Sequence, residues 1–228
     1  MQEATSETSA ERLTAIRARI DAAARLARRP AEDIQLIAVS KTRSAEEIAP
    51  LIEQGQLAFG ENRVQEAASK WPALKELHPN VQLHLIGQLQ SNKAEEAVAL
   101  FDMILSVDRL SLVVALGKAM QKHQRQIPCF IQVNIGAEEQ KGGCPVADLP
   151  DMLRAAEEHG IPVAGLMCIP PANVEASPFF ALLAELATRH DLAQLSMGMS
   201  DDFETAIMLG ATYIRVGTAL FGERTGAV

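Results

Sequence analysis

The chain has 228 residues, 48% of them hydrophobic and 22% charged, and carries a net charge of -8. That length and balance suit one large core or two small ones and exclude an extended disordered chain. The acidic charge and the lack of any long basic run exclude a general nucleic-acid surface. No apolar run reaches the length of a membrane-spanning helix.

The first residues, Met1 to Glu7, read as a loose acidic tail with no signal-peptide core. The three cysteines, Cys129, Cys144 and Cys168, are odd in number and widely spaced. They fit neither a disulfide framework nor a zinc site, so a reducing cytoplasm is expected, with each thiol acting as a small apolar filler. Thr8 and Glu11 make a capping box, and Leu13, Ile16, Ile20, Ala23 and Ala27 then recur at helical spacing until Pro30. This extra helix, over 8–29, precedes every strand.

From Ile34 onward strands and helices alternate. Strands are expected near 34–40, 57–61, 82–86, 103–107, 128–135, 161–168, 194–198 and 212–217. Helices are expected over 45–54, 64–77, 92–100, 109–124, 148–158, 176–189 and 202–209. Regular alternation means parallel pairing, and eight units in this length suit a closed (β/α)₈ barrel, with an open doubly wound sheet as the alternative. There is no linker, and one domain over 8–228 is expected.

The first strand, Ile34-Gln35-Leu36-Ile37-Ala38-Val39-Ser40, is apolar on both faces and ends in Lys41. Ser44 and Glu47 then open a helix with a capping box. A lysine at the carboxyl end of a parallel strand stands where α/β folds place their chemistry. Backed by an apolar strand, it can be desolvated into the nucleophilic amine that a Schiff base requires. The plain alternative is a solvated loop lysine.

The other strand ends carry polar residues too: Glu61, Asn62 and Arg63 after the second, Gln88 to Lys93 after the third, Asn134 after the fifth. Ser200 is expected to open the helix after strand seven, with Asp201 and Glu204 as a competing cap. Gly217 and Thr218 follow strand eight. A phosphate commonly sits between those two loops in such barrels, and glycine lets backbone approach an anion. Arg215 shares a face with Tyr213 and Gly217. Pointed into a barrel it needs a partner, either a carboxylate such as Glu61 or a ligand. His84 reads as a core histidine. Lys93 is either a second anion contact or solvated, and Gln140 to Gly143 form a mobile loop tip. The five histidines lack metal-ligand spacing.

These residues together are similar to a known family. Ala38-Val39-Ser40-Lys41, Phe59-Gly60-Glu61-Asn62-Arg63-Val64-Gln65-Glu66 and His84-Leu85-Ile86-Gly87-Gln88-Leu89-Gln90-Ser91-Asn92-Lys93 carry the resemblance. So do Gly165 to Pro171, Leu195-Ser196-Met197-Gly198-Met199-Ser200-Asp201-Asp202, and the closing Ile214 to Gly222. In order, and over nearly everything after the tail, they resemble the pyridoxal phosphate homeostasis protein family. Cys168 stands where that family often has alanine, and Gly136 where it often has serine. The resemblance implies a single TIM-type barrel like the N-terminal domain of alanine racemase (fold-type III), with pyridoxal 5'-phosphate (PLP) held as an imine on Lys41. It implies that Ser200, Gly217 and Thr218 hold the phosphate, that Arg215 faces the pyridine nitrogen, and that Asn62 and Met199 lie beside the cofactor.

An arginine at the pyridine nitrogen disfavours its protonation and weakens the ring as an electron sink. Racemisation also needs an acid or base on each face of the substrate. The only tyrosine, Tyr213, lies two residues deeper than Arg215 on the same strand, a poor place for one. The expected function is therefore a PLP carrier with little turnover, acting in PLP homeostasis as a monomer, with PLP-dependent apo-enzymes as recipients and no nucleic-acid or membrane partner. A weak amino-acid racemase is the alternative, and a cofactor-free lysine-imine aldolase a third reading.

Overall fold

The computed structural model describes residues 7–222; of the tail expected over residues 1–7, all but Glu7 lies outside them. The first helix, α1 (Ser9–Leu26), opens on the expected Thr8–Glu11 capping box. Eight strands then alternate with helices: β1 (Gln35–Val39), α2 (Ala45–Glu53), β2 (Ala58–Glu61), α3 (Val64–Leu77), β3 (Gln82–Leu85), α4 (Ala94–Leu100), β4 (Met103–Val107), α5 (Leu110–His123), β5 (Cys129–Gln132), α6 (Leu149–Glu158), β6 (Val163–Met167), α7 (Ser177–Arg189), β7 (Gln194–Ser196), α8 (Phe203–Met208), β8 (Tyr213–Val216) and α9 (Thr218–Phe221). Every strand pairs in parallel with its sequence neighbour, and β1 pairs with β8, so the sheet closes into a barrel. The open-sheet alternative is excluded. Among the described residues no helix is long and apolar enough to cross a membrane.

Closure and the period of two along each strand divide the core in two. Ile37, Ala58, Met103, Leu105, Phe130 and Met167 fill the barrel, with Ile86, Ile169 and Tyr213 against them. Their neighbours Leu36, Ala38, Ile214 and Val216 point outward into the larger layer beneath the helices. Strands five and seven are shorter than expected, because Val133 to Ile135 leave the sheet for a loop and Gly198 turns the chain at φ 92°.

The four-residue α9 is too short to cover the outside of β8 and β1. The extra helix α1 fills that place, with Leu13, Ile16, Ile20, Ala23 and Ala24 buried. Arg12 donates to the Leu220 carbonyl at 2.8 Å, and Arg19 pairs with Glu204 while lying over the Phe203 ring. The helix thus belongs to the barrel wall.

His84 faces the interior, as expected of a core histidine, and its Nδ1 has no hydrogen-bond partner among the described residues. Burial lowers its pKa from 6.5 to about 4, with Asp102 opposing the shift and Lys75 adding to it. Between those values the unfolded chain binds a proton that the folded protein refuses. Stability is therefore full above the unfolded pKa and falls as pH drops from there toward the folded one, by up to about 3 kcal/mol. Urea unfolding across that range should show a shallower pH slope in His84→Gln than in the parent. The three thiols are likewise buried, and burial pushes each up to about 12. Ellman's reagent should titrate none of them in the native protein at about pH 8, and all of them in urea.

Candidate functional site

The carboxyl end of β1 leads into a tight turn. Arg43 N–H donates to the Ser40 carbonyl at 3.0 Å, and Thr42 stands at φ 63°, a left-handed conformation that a β-branched residue rarely adopts. Lys41 has the same parity as inward-facing Ile37 and Val39, so it comes to the mouth of the barrel rather than its outer wall. There, half-buried, it lines a cavity of about 600 Å³, within the range of small-molecule sites. Asn62, Met199, Ser200, Arg215, Gly217 and Thr218 line the same cavity, so all seven sequence-derived site residues meet in one place.

Two local expectations are corrected. Ser200 does not open the helix after β7, and Asp201 does not cap it. The Asp202 carboxylate accepts from the Met199 N–H at 2.6 Å, and Asp202 N–H donates to the Met199 carbonyl at 3.2 Å. This closes a turn over Met199–Asp202 and delays α8 to Phe203. Ser200 faces the other way, and its hydroxyl accepts from Ala219 N–H at 3.5 Å in the segment after β8. Serine, Gly217 and Thr218 are thereby drawn together by the chain after β8. Burial raises the Asp202 carboxyl, against the Met199 bond and the charge of Arg215.

Arg215, for which either a carboxylate such as Glu61 or a ligand was the expected partner, is 4% exposed. It does not pair with Glu61. Gly60 takes the inward position on β2, where an added Cβ would come within 3.0 Å of the Ile37 and Ile86 side chains. Glu61 therefore points outward, to Ser40, Lys70 and Trp71. Arg215 instead donates to the Ser196 hydroxyl at 2.6 Å and the Cys168 carbonyl at 2.9 Å. Burial lowers its pKa, with Asp202 opposing, yet a guanidinium stays protonated in proteins. Two neutral acceptors fix its plane without neutralising its charge, and the cavity faces that charge.

Other polar residues lie elsewhere. Asn134 only shapes its loop, donating to and accepting from Glu138. In the Gln140–Gly143 loop tip, Lys141 donates to the Pro170 carbonyl and pairs with Glu138. Lys93 pairs with Glu96 and lines a separate cavity of about 610 Å³ with Arg63 and Arg109. Tyr213 lines a third cavity with Gln35 and Gln194, at the opposite end of the barrel. No cluster of three metal-ligating side chains occurs among the described residues. Sequence reasoning missed Arg43, Ile86 and Ile169, which also line the Lys41 cavity. Ile86 and Ile169 were legible only as apolar residues at strand ends, and nothing marked Arg43 beyond its place after Lys41.

Fold and site define a barrel of the alanine racemase N-terminal type, and residues 12–225 match the family model described as alanine racemase, N-terminal domain. Alanine racemase of Clostridium difficile 630 shares the fold at a TM-score of 0.67 and 16% identity, over 94% of this chain and 58% of that one. The chain belongs to the pyridoxal phosphate homeostasis protein family. It is 39% identical to the family member of Escherichia coli K12 over 225 residues, 94% of this chain and 96% of that protein. PipY of Synechococcus elongatus PCC7942, solved with PLP bound, is 39% identical at a TM-score of 0.81, covering 94% of this chain and all of that one (100%).

The cavity wall depends on one close approach. A Cβ on Gly87 would stand 2.3 Å from the Asn62 carbonyl oxygen and 2.7 Å from its Cα. Gly87→Ala must displace that backbone, and an overpacking cost of about 1–3 kcal/mol is expected. Chemical denaturation should register the loss.

Proposed function

We propose that this chain binds PLP in the Lys41 cavity, holds it there as an imine on the Lys41 amine, and serves PLP homeostasis by keeping and releasing the cofactor with little turnover. The observation that carries this reading is the meeting of Lys41, buried Arg215 and the Ser200–Gly217–Thr218 group around one cavity of suitable size. The donor set fits the group. An amine suits an aldehyde, hydroxyls and close-approaching backbone suit a phosphate, and a fixed cation suits an unprotonated pyridine nitrogen. Glycine at position 217 lets the chain after β8 lie close against β1, since a Cβ there would stand 3.3 Å from that of Val39.

In this reading Ser200, Gly217 and Thr218 hold the phosphate, Arg215 faces the ring nitrogen, and Asn62 and Met199 flank the ring. Bound PLP supplies an electrophilic aldehyde and an electron-withdrawing ring. The chain's own residues anchor it, orient it and leave the nitrogen unprotonated. That last property weakens carbanion chemistry, and the position of Tyr213 at the far end of the barrel gives no second proton relay. PLP-dependent apo-enzymes are the recipients, and the working unit is a cytoplasmic monomer. A weak amino-acid racemase is the second reading, supported by Lys41, which stands where it can move a proton on one face of a substrate.

Visible absorption spectra of the purified protein and of Lys41→Ala test the reading. A yellow band that borohydride abolishes and the variant lacks is expected. A parent that stays colourless with added PLP overturns the assignment. Racemisation of alanine at ordinary enzyme rates, lost in Lys41→Ala, overturns the carrier role.

A further inference from the structure

Lys70 lies on α3, outside the cavity, with its side chain 11% exposed. Its ammonium donates to the carbonyls of Ser40 and Arg43, both at 2.9 Å. It also meets Glu61 Oε1 at 2.9 Å and Glu66 Oε1 at 3.1 Å. The two carbonyls are the ends of the turn that carries Lys41. One turn of α3 earlier, Glu66 accepts the Thr42 N–H. Glu61 in turn accepts from the Ser40 hydroxyl at 2.6 Å and the Trp71 indole at 3.0 Å. Every residue of Ser40-Lys41-Thr42-Arg43 except Lys41 is thus tied to α3 or β2.

We propose that Lys70 is a positioning residue for Lys41: by gathering the Ser40 and Arg43 carbonyls onto one partly buried cation, it holds the turn in the conformation that directs the Lys41 amine into the cavity. The turn needs such a hold. Thr42 sits where threonine is strained, and a strained residue persists only when its surroundings over-determine it. An ammonium suits the task because it offers three donors from one point, which a planar guanidinium cannot. The buried pair with Glu61 compensates its charge. Lys41 takes no part in these bonds, so its amine is left free to react.

The inference rests on the reading that Lys41 forms an imine with PLP. In that step the Lys41 nitrogen bonds to the aldehyde carbon. Both amine hydrogens leave with the aldehyde oxygen as water. A displaced turn slows the step by misplacing the nitrogen, even while the phosphate group of the site is intact.

The test compares the parent with Lys70→Met, Lys70→Arg and Glu66→Gln by two readouts. The first is hydrogen exchange at the Thr42 amide in protein free of PLP. The second is the rate of borohydride-trapped PLP adduct on Lys41, followed by peptide mass spectrometry at a temperature where each variant is folded. Lys70→Met should raise Thr42 exchange at least tenfold and slow adduct formation at least tenfold. Lys70→Arg should fall between it and the parent. Glu66→Gln, whose side chain is more exposed at 27%, keeps the inference testable if Lys70→Met does not fold, and about a threefold change in both readouts is expected. Parent-like exchange and adduct rates in the folded variants overturn the proposal. A parent that forms no Lys41 adduct overturns the imine reading instead, and Thr42 exchange then decides alone whether Lys70 holds the turn.

Discussion

Pairing between β1 and β8 is the constraint on which the site depends. It sets Ile37 beside Arg215 and Gln35 beside Tyr213. It therefore joins the first strand end, with Lys41, to the last, with Gly217 and Thr218. Without closure these would lie at opposite edges of an open sheet. With it, the strand period of two settles every residue's side. Arg215 and Tyr213 go inward, while Ile214 and Val216 go beneath the helices. The same parity sends Gly60 inward and Glu61 outward, so the buried arginine meets the Ser196 hydroxyl and the Cys168 carbonyl rather than a carboxylate.

The result is a site with two faces. Inside the barrel mouth, Lys41, Arg215 and the group after β8 surround the cavity. Outside it, between β1, β2 and α3, a buried cluster of Ser40, Glu61, Lys70 and Trp71 braces the turn from behind. One Glu61 oxygen in that cluster, Oε2, has no partner among the described residues. An amine presented by a strained turn is fixed in place by support of this kind, because a loose turn spreads the amine over many positions.

The eighth unit of the barrel departs from the repeat. After β8 the chain makes only a four-residue helix before Gly222, whose φ is 81°. A longer helix there would carry the chain along the outer wall. Instead the segment stays near the mouth, where Gly222 lines the same cavity as Lys41. Helix α1 covers the outer surface that a longer eighth helix would have covered. The N-terminal extension and the shape of the site are thus one arrangement.

Much of this was legible in the sequence. Apolar runs bounded by glycine and proline marked eight strands, capping boxes at Thr8 and Ser44 marked helix starts, and chain order alone placed Lys41, Asn62, Ser200, Arg215 and Thr218 at strand ends. These signals are local, and local chemistry decides them. Family membership was legible as well, because the motifs lie in order along the chain. Tertiary structure alone decided what depends on contacts between distant segments. It aimed Ser200 at the chain after β8, because the Asp202 side chain captured the Met199 amide and delayed the helix. It turned Glu61 away from Arg215 through strand parity fixed by closure. It also made Lys70, which in sequence is one more lysine on an amphipathic helix, a partly buried cation gathering carbonyls from a turn about thirty residues away. Such a role leaves no pattern in the sequence, since only packing removes the water that would otherwise solvate that ammonium.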